Sequence, residues 1–209
     1  MTTARKIATY LLETQAVKLS PEKPFQWSSG WLSPIYCDNR ITLSDPTART
    51  FIKKALAKVI QKQFPEATAV AGVATAGIPQ GALVADALQL PFAYVRPKPK
   101  EHGMGNQIEG RIAPGQKVVV IEDLISTGGS SLKSVEALRA AGVEVVGMVA
   151  IFTYGFQIAD ANFEKAGVPL VTLSEYKYLI DEAVKQNYIP ATTVDSLKKW
   201  RRNPEKWGR

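Results

Sequence analysis

Mainly apolar runs of four to ten residues recur through the middle of the chain, and in two of the stretches between them apolar residues return every three or four positions. The runs are residues 69–73, 92–95, 117–121, 143–152 and 170–173. Runs of this length, rich in Val and Ile, are typical of strands that are buried on both faces. Residues 78–88 and 132–141, which lie between such runs, predict helices, whereas residues 96–116 predict a polar, glycine-rich loop. The sequence therefore predicts an α/β fold with a mainly parallel central sheet flanked by helices.

Residues with capping side chains mark where helices are expected to begin. In chain order they are Thr2 or Thr3, Asp45 before Pro46, Ser174, and Thr192 or Thr193. Such residues accept hydrogen bonds from the free N–H groups of the first helical turn. We expect a single domain in three parts: residues 1–45 form a first helix and a small hood, residues 46–190 the α/β core, and residues 191–209 a C-terminal helix and basic tail.

Composition is that of an ordinary soluble globular domain, with 209 residues, 45% hydrophobic and 22% charged. The uncharged run at residues 145–159 is interrupted by Gly147 and Gly155, which indicates a buried strand and its exit rather than a membrane span. The first residues lack the apolar core of a secretory signal. Cys37 is the single cysteine, which excludes an intramolecular disulfide, and a cytoplasmic location is expected.

The formal charge of +7 favours an anionic partner, either a nucleic acid or a multiply charged phosphate compound. Much of the excess lies after residue 197, in a tail with interleaved tryptophans. Such a tail can bind nucleic acid, but a solvated helix end or an oligomer edge is the favoured interpretation. No helix-turn-helix, zinc-finger or RNA-binding motif accompanies it, so we expect no nucleic-acid partner.

The strongest candidate for a site is residues 118–131. An apolar strand is expected to end at Ile121, followed by the acidic pair Glu122-Asp123, a hydroxyl- and glycine-containing turn, and a helix. Free N–H groups at the start of a helix, together with Ser and Thr hydroxyls, suit a phosphate monoester. The carboxylates can accept hydrogen bonds from sugar hydroxyls and help hold a divalent cation. One segment therefore offers sites for a ribose, its phosphate and a metal.

Two further loops suggest anion binding. Residues 74–77 join a strand to a helix and carry small side chains, which let backbone N–H groups approach an anion closely. Residues 96–106 form a long, cationic, glycine-rich loop that contains His102, the single histidine. Loops of this length in a compact domain are usually functional or disordered, and three cations would suit a pyrophosphate.

These segments resemble those of the type I phosphoribosyltransferases, and in particular the orotate phosphoribosyltransferases. Residues 118–131 resemble the motif that binds phosphoribosyl pyrophosphate (PRPP), and residues 74–77 correspond to the pyrophosphate loop. Residues 96–106 resemble the mobile loop of the orotate enzymes, and residues 25–40 resemble their N-terminal hood, which carries Ser-Gly-x-x-Ser-Pro.

The resemblance implies the type I phosphoribosyltransferase fold and the transfer of the phosphoribosyl group of PRPP to orotate, with Mg²⁺ carried mainly by PRPP. It also implies a homodimer in which residues 96–106 reach the neighbouring site. Implied PRPP-binding residues are Thr75, Ala76, Arg96, Lys98, Lys100, His102, Glu122, Asp123, Leu124, Ile125, Ser126, Thr127, Gly128, Gly129 and Ser130. Implied orotate-binding residues are Ser29, Tyr36 and Ser126, and implied catalytic residues are Lys100, His102 and Asp123.

One departure from the family pattern and two alternatives stay open. Family members usually place a lysine at the positions of Ser28 or Leu32, so the group that neutralises the orotate carboxylate is not identified. A purine-base phosphoribosyltransferase has the same fold, but the hood favours orotate. A PRPP-sensing transcription regulator would be expected to carry a DNA-binding module before this domain. A nucleotide-binding dehydrogenase is disfavoured because the G-x-G-x-x-G fingerprint is missing.

Overall fold

A six-stranded sheet organises the chain in the computed structural model, which describes residues 1–27, 30–98 and 107–208. The helices of these ranges are α1 (Thr3–Glu13), α2 (Pro46–Gln63), α3 (Gly77–Leu88), α4 (Gly129–Ala140), α5 (Gln157–Ala166), α6 (Tyr176–Lys185) and α7 (Val194–Arg202). The strands are β1 (Val17–Leu19), β2 (Phe25–Gln26), β3 (Leu32–Ser33), β4 (Ile35–Cys37), β5 (Ala69–Val73), β6 (Phe92–Val95), β7 (Ile108–Glu109), β8 (Lys117–Ile125), β9 (Glu144–Thr153) and β10 (Leu170–Glu175).

The order of strands in the sheet is β10-β9-β8-β5-β6-β7, and every pair is parallel except the edge pair of β6 and β7. The predicted α/β class and parallel sheet are thus confirmed. From β5 the chain continues to β6 on one side, whereas from β8 it continues to β9 on the other. Loops that leave two adjacent strands in opposite directions open a crevice at their carboxyl ends, which is where open α/β sheets bind ligands.

The apolar runs are buried on both faces of the sheet because alternate side chains enter two separate cores. Val119 and Ile121 of β8 pack with residues of α1, α2, α3 and α6, while Val118 and Val120 pack with residues of α4 and α5. None of the helices in the described ranges has both the length and the apolar character needed to cross a bilayer.

The predicted caps have mixed outcomes. Thr2 accepts a hydrogen bond from the Arg5 N–H, and Asp45 accepts one from the Ala48 N–H, as expected. Thr193 occupies the cap position of α7, but its hydroxyl donates to the Pro190 carbonyl instead. The prediction for Ser174 is wrong, because β10 continues beside β9 through Glu175, and the Ser174 hydroxyl donates to the Ala4 carbonyl.

The prediction that β8 ends before the acidic pair is also wrong. The strand continues to Ile125, with Glu122, Leu124 and Ile125 opposite Ala150, Phe152 and Thr153 of β9. Two local features allow carboxylates inside a strand. Strand β9 supplies backbone partners as far as Thr153, and the Glu122 carboxyl group accepts hydrogen bonds within its own segment.

The hood and the tail are packed against each other beside the sheet. The hood contains two short antiparallel pairs, β1 with β4 and β2 with β3, followed by a 3₁₀ turn at Asn39–Ser44. Helix α7 buries Leu197 and Trp200, and its basic side chains are exposed. The basic surface is therefore the solvated face of an amphipathic helix.

Candidate functional site

A cavity of about 310 Å³ lies at the carboxyl ends of β5 and β8, in the crevice where their loops diverge. We call it the loop cavity. Its lining residues are Val73, Ala74, Thr75, Ala76, Glu122, Asp123, Leu124, Ser126, Thr127, Gly128, Ser130 and Ser131. The cavity thus combines two βα loops, an acidic pair, several hydroxyl groups and the start of α4, where backbone N–H groups have no partner within the helix.

Two glycines allow the parts of this cavity to approach each other. A Cβ atom on Gly77 would lie 2.5 Å from the Ile121 carbonyl oxygen, so only glycine lets the start of α3 pack on β8. Gly128 has a φ of +80°, and a Cβ atom there would lie 2.6 Å from the Phe163 ring. The turn between β8 and α4 therefore depends on glycine for both its conformation and its packing.

The acidic pair has two members with different environments. Glu122 is 5% exposed; its carboxylate accepts hydrogen bonds from the Ser131 hydroxyl at 2.7 Å and the Asp123 N–H at 3.0 Å. Burial, with the neighbouring Asp123 charge, raises the pKa of Glu122 to about 8. Burial also raises the pKa of Asp123, although its hydrogen bonds and the Arg40 charge oppose this. Asp123 is the more exposed of the two and is better placed to meet a ligand.

Asn39 joins the hood to the acidic pair. It is fully buried, and its side-chain amide donates a hydrogen bond to the Asp123 carbonyl at 2.7 Å. Its amide oxygen accepts a contact from the Cys37 Sγ at 3.3 Å. The sequence reasoning did not single out Asn39 or Ser131. Ser131 follows Glu122 by nine residues within the same motif, whereas Asn39 is 84 residues from Asp123 and the local sequence carries no signal of the contact.

A second cavity of about 580 Å³ lies between the hood and the loop cavity, and we call it the hood cavity. Its lining residues are Gln26, Trp27, Trp31, Tyr36, Cys37, Leu124, Ser126, Thr127 and Tyr154. Leu124, Ser126 and Thr127 line both cavities, so the two are adjacent. Most of the remaining wall is aromatic, which suits a flat ring system, and none of these lining residues carries a formal charge at neutral pH.

Leu32, at a position where the family usually has lysine, does not line this cavity. Its side chain faces the tail, since a Cβ atom on Gly208 would lie 3.1 Å from Leu32 Cδ1. A half-buried cysteine is also present in the wall, and desolvation raises the pKa of Cys37 well above its ordinary value, so its thiol stays protonated.

Most of the predicted site residues lie together. Those that line the loop cavity are Thr75, Ala76, Glu122, Asp123, Leu124, Ser126, Thr127, Gly128 and Ser130, and those that line the hood cavity include Tyr36 and Ser126. Gly129 is exposed at the first position of α4 and does not line either cavity. The Ile125 side chain is fully buried in the core, and its carbonyl accepts hydrogen bonds from the Tyr154 N–H and the Thr153 hydroxyl.

The cationic loop lies largely outside the described residues, and so do Ser29, Lys100 and His102. Of its described residues, Arg96 lies 3.9 Å from the Glu109 carboxylate and Lys98 is exposed. Neither residue lines the loop cavity or the hood cavity.

The acidic pair fits a magnesium ion that is carried by a substrate. Across residues 1–27, 30–98 and 107–208, no three His, Cys, Asp or Glu side chains are grouped closely enough to hold a metal by themselves. Mg²⁺ is commonly bound by one or two carboxylates together with substrate phosphates. Asp123, the more exposed acid of the pair, lines the loop cavity beside the turn of residues 126–130 and is the better placed of the two to meet such an ion.

Comparisons with known proteins agree with this geometry. Residues 44–177 match the model of the phosphoribosyl transferase domain. The chain is 58% identical over 207 residues to an orotate phosphoribosyltransferase of Cytophaga hutchinsonii, with 99% of each chain covered. It is 57% identical to one of Listeria monocytogenes over 209 residues, with both chains covered completely. The crystal structure of an orotate phosphoribosyltransferase from Aeropyrum pernix aligns with a TM-score of 0.73 at 33% identity, covering 84% of this chain and 98% of that one.

Proposed function

Because the chain belongs to the orotate phosphoribosyltransferase family, we propose that its loop cavity binds PRPP and its hood cavity binds orotate. The protein transfers the phosphoribosyl group of PRPP to orotate, giving orotidine 5′-phosphate and pyrophosphate. The adjacency of the two cavities supports this division most directly. Their shared wall at Leu124, Ser126 and Thr127 would bring C1 of the ribose next to the pyrimidine ring.

In the loop cavity, the turn of residues 126–130 and the start of α4 bind the 5′-phosphate through hydroxyl and backbone N–H groups. Asp123 accepts hydrogen bonds from the ribose hydroxyls, and Glu122, held by Ser131, supports it from within the strand. The Thr75-Ala76 loop receives the pyrophosphate. In the hood cavity, Tyr36 and the other aromatic side chains shield the base, and Ser126 hydrogen-bonds to it.

The bond from C1 to pyrophosphate breaks as the bond to orotate N1 forms, through a transition state with oxocarbenium character like that of glycoside cleavage. Positive charge develops on the ribose ring, where the Asp123 carboxylate stabilises it. Bound Mg²⁺ would supply Lewis acidity to the departing pyrophosphate, with Glu122 and Asp123 as its nearest protein carboxylates. Lys100 and His102 neutralise the leaving group when the loop closes and exclude water.

We further propose that the protein is a homodimer in which residues 96–106 reach the partner's site. The family resemblance of that loop supports this assembly. A cytoplasmic location is also proposed. Cys37, the single cysteine, is a free thiol in the wall of the base site, and a reducing compartment would preserve it.

Mixing the protein with Mg²⁺, PRPP and orotate and following the loss of orotate absorbance tests the function. Turnover of orotate, with none of adenine or hypoxanthine, is the expected result, and the reverse preference would overturn the assignment. The Lys100→Ala variant is expected to lose most of its turnover while its thermal unfolding stays near that of the parent. The exposed Lys54→Ala in α2 serves as the matched control, and equal effects of the two variants would contradict the role of Lys100.

A further inference from the structure

Trp200 lies behind the wall of the hood cavity, on helix α7, and does not itself line either cavity. It is fully buried. Its ring meets Trp27 and Tyr154 edge-on, with centroid separations of 5.7 and 5.6 Å and interplanar angles of 88° and 90°. Trp27 and Tyr154 line the cavity, and their centroids are 5.3 Å apart. The three rings therefore form a closed triangle in which Trp200 is the member away from the cavity.

Helix α7 is also hydrogen-bonded to both sides of that wall. The Trp200 indole N–H donates to the carbonyl of Leu32, in the hood strand β3, at 3.2 Å. The neighbouring Arg201 guanidinium donates to the carbonyl of Gly155, the residue after Tyr154, at 3.1 Å. One turn of the helix thus connects the hood, at Leu32, to Gly155, just after strand β9, although the two are far apart in sequence.

The hood needs such support because its own structure is small. Strands β2 and β3 pair through two residues each, and a two-stranded pair of this size is not stable alone. Trp27 directly follows β2, so its position relative to Tyr154 depends on packing against other elements. Trp200, which contacts Trp27, Tyr154 and the β3 carbonyl together, is the residue that combines these contacts.

We propose that Trp200 is a positioning residue for the base, which sets the distance between the hood and core sides of the orotate site. The inference rests on the proposed binding of orotate in the hood cavity. The ring partners of Trp200 and its hydrogen-bond acceptor Leu32 do not line the loop cavity, so the binding of PRPP should be nearly independent of Trp200.

The Trp200→Phe variant tests this role because it keeps an aromatic ring but removes the donor to the Leu32 carbonyl. We expect the KM for orotate to rise about fivefold, the effect of losing one hydrogen bond in a fixed geometry. The KM for PRPP and kcat should stay within about twofold of the parent. Phe64→Leu is the control: Phe64 is buried against Gly147, near the other end of β9, so its truncation should lower stability without changing the KM for orotate.

Arg201→Met is a second test that does not depend on the folding of the first variant, since the Arg201 side chain is exposed. It removes the hydrogen bond to the Gly155 carbonyl and is expected to raise the KM for orotate about twofold, with an unchanged unfolding temperature. An unchanged KM for orotate in both variants would overturn the proposal, as would an equal rise in Trp200→Phe and Phe64→Leu. If the parent protein did not turn over orotate at all, the proposed function would fail instead.

Discussion

The loop cavity and the hood cavity adjoin each other, yet they are assembled in different ways. Of the twelve described residues that line the loop cavity, eight come from residues 122–131 and four from residues 73–76. The nine described residues that line the hood cavity come from the hood, from residues 124–127 and from Tyr154 just after β9, with α7 behind them. A site built from local βα loops is encoded in short motifs, whereas a site built between distant segments depends on tertiary packing.

Because of this difference, we expect substitutions in the loop cavity to change the KM for PRPP and kcat. Substitutions around the hood should change mainly the KM for orotate. Asp123→Asn should have the largest effect, a loss of kcat of about 100-fold or more, because the role proposed for this carboxylate is to stabilise the developing positive charge. Steady-state kinetics with both substrates measures it. The exposed Asp160→Asn on α5 is the control, and a loss of less than about threefold in Asp123→Asn would contradict the role of Asp123.

Gly128 and Gly129 provide a matched pair within the turn of residues 126–130. Gly128→Ala combines a positive φ with a contact of 2.6 Å to the Phe163 ring, so the turn must change shape. We expect the KM for PRPP to rise about tenfold or more and the free energy of unfolding to fall by about 2 kcal/mol.

A Cβ atom on Gly129 would lie 3.8 Å from the Thr127 hydroxyl, which is an ordinary contact distance. Gly129→Ala should therefore leave both the KM for PRPP and the free energy of unfolding nearly unchanged. Steady-state kinetics with PRPP and chemical denaturation compare the KM and the free energy of unfolding of the two variants. Equal effects on PRPP binding would show that the conformation of the turn does not determine phosphate binding.

Asn39 sits at the junction of the two cavities, so its replacement tests whether they are coupled. Asn39→Ala removes the donor to the Asp123 carbonyl and leaves a buried carbonyl with one partner fewer. We expect kcat/KM to fall about fivefold for both substrates. A fall in kcat/KM for orotate alone would show that Asn39 affects only the hood cavity. The Cys37→Ala variant measures how much the contact between Cys37 Sγ and the Asn39 amide oxygen contributes.

Glu122 should have the smallest effect on turnover and the clearest effect on the pH dependence of stability. Its pKa is about 8 in the folded protein against 4.5 for an ordinary glutamate, so the folded state holds the proton more tightly. The free energy of unfolding should therefore be highest at acidic pH and fall as pH rises from about 5 to about 8, by roughly 1 kcal/mol per pH unit. In Glu122→Gln the free energy of unfolding should depend much less on pH. Chemical denaturation of both proteins at pH 5.5, 6.5 and 7.5 measures this dependence. An identical slope in both proteins would contradict the raised pKa.

The sequence was sufficient for the parts of the molecule whose signals are local. The apolar runs predicted the sheet, and the order of acids, hydroxyls and glycines in residues 118–131 predicted that this segment forms a site, most of whose residues line the loop cavity. It was not sufficient where tertiary context dominates: β8 continues through its acidic pair because β9 runs beside it, and Ser174 stays in a strand. Helix α5 was missed as well, because it lacks a side-chain cap and buries only Ala159 and Phe163.

The hood cavity shows the limit most clearly. Tyr36 was identified through family resemblance, but Asn39, Tyr154 and Trp200 were not assigned to the site, because each contributes through contacts with residues far away in the chain. Amphipathic spacing predicted that Trp200 would be carried on a terminal helix, but it could not indicate which surface that helix would cover.

A crystal structure with orotidine 5′-phosphate would test the division of the two cavities directly. We expect the phosphate against residues 126–130, the ribose hydroxyls within hydrogen-bond distance of Asp123, and the pyrimidine ring between Tyr36 and the wall formed by Trp27 and Tyr154. A pyrimidine bound outside the hood cavity, or a phosphate away from the turn after β8, would contradict the account.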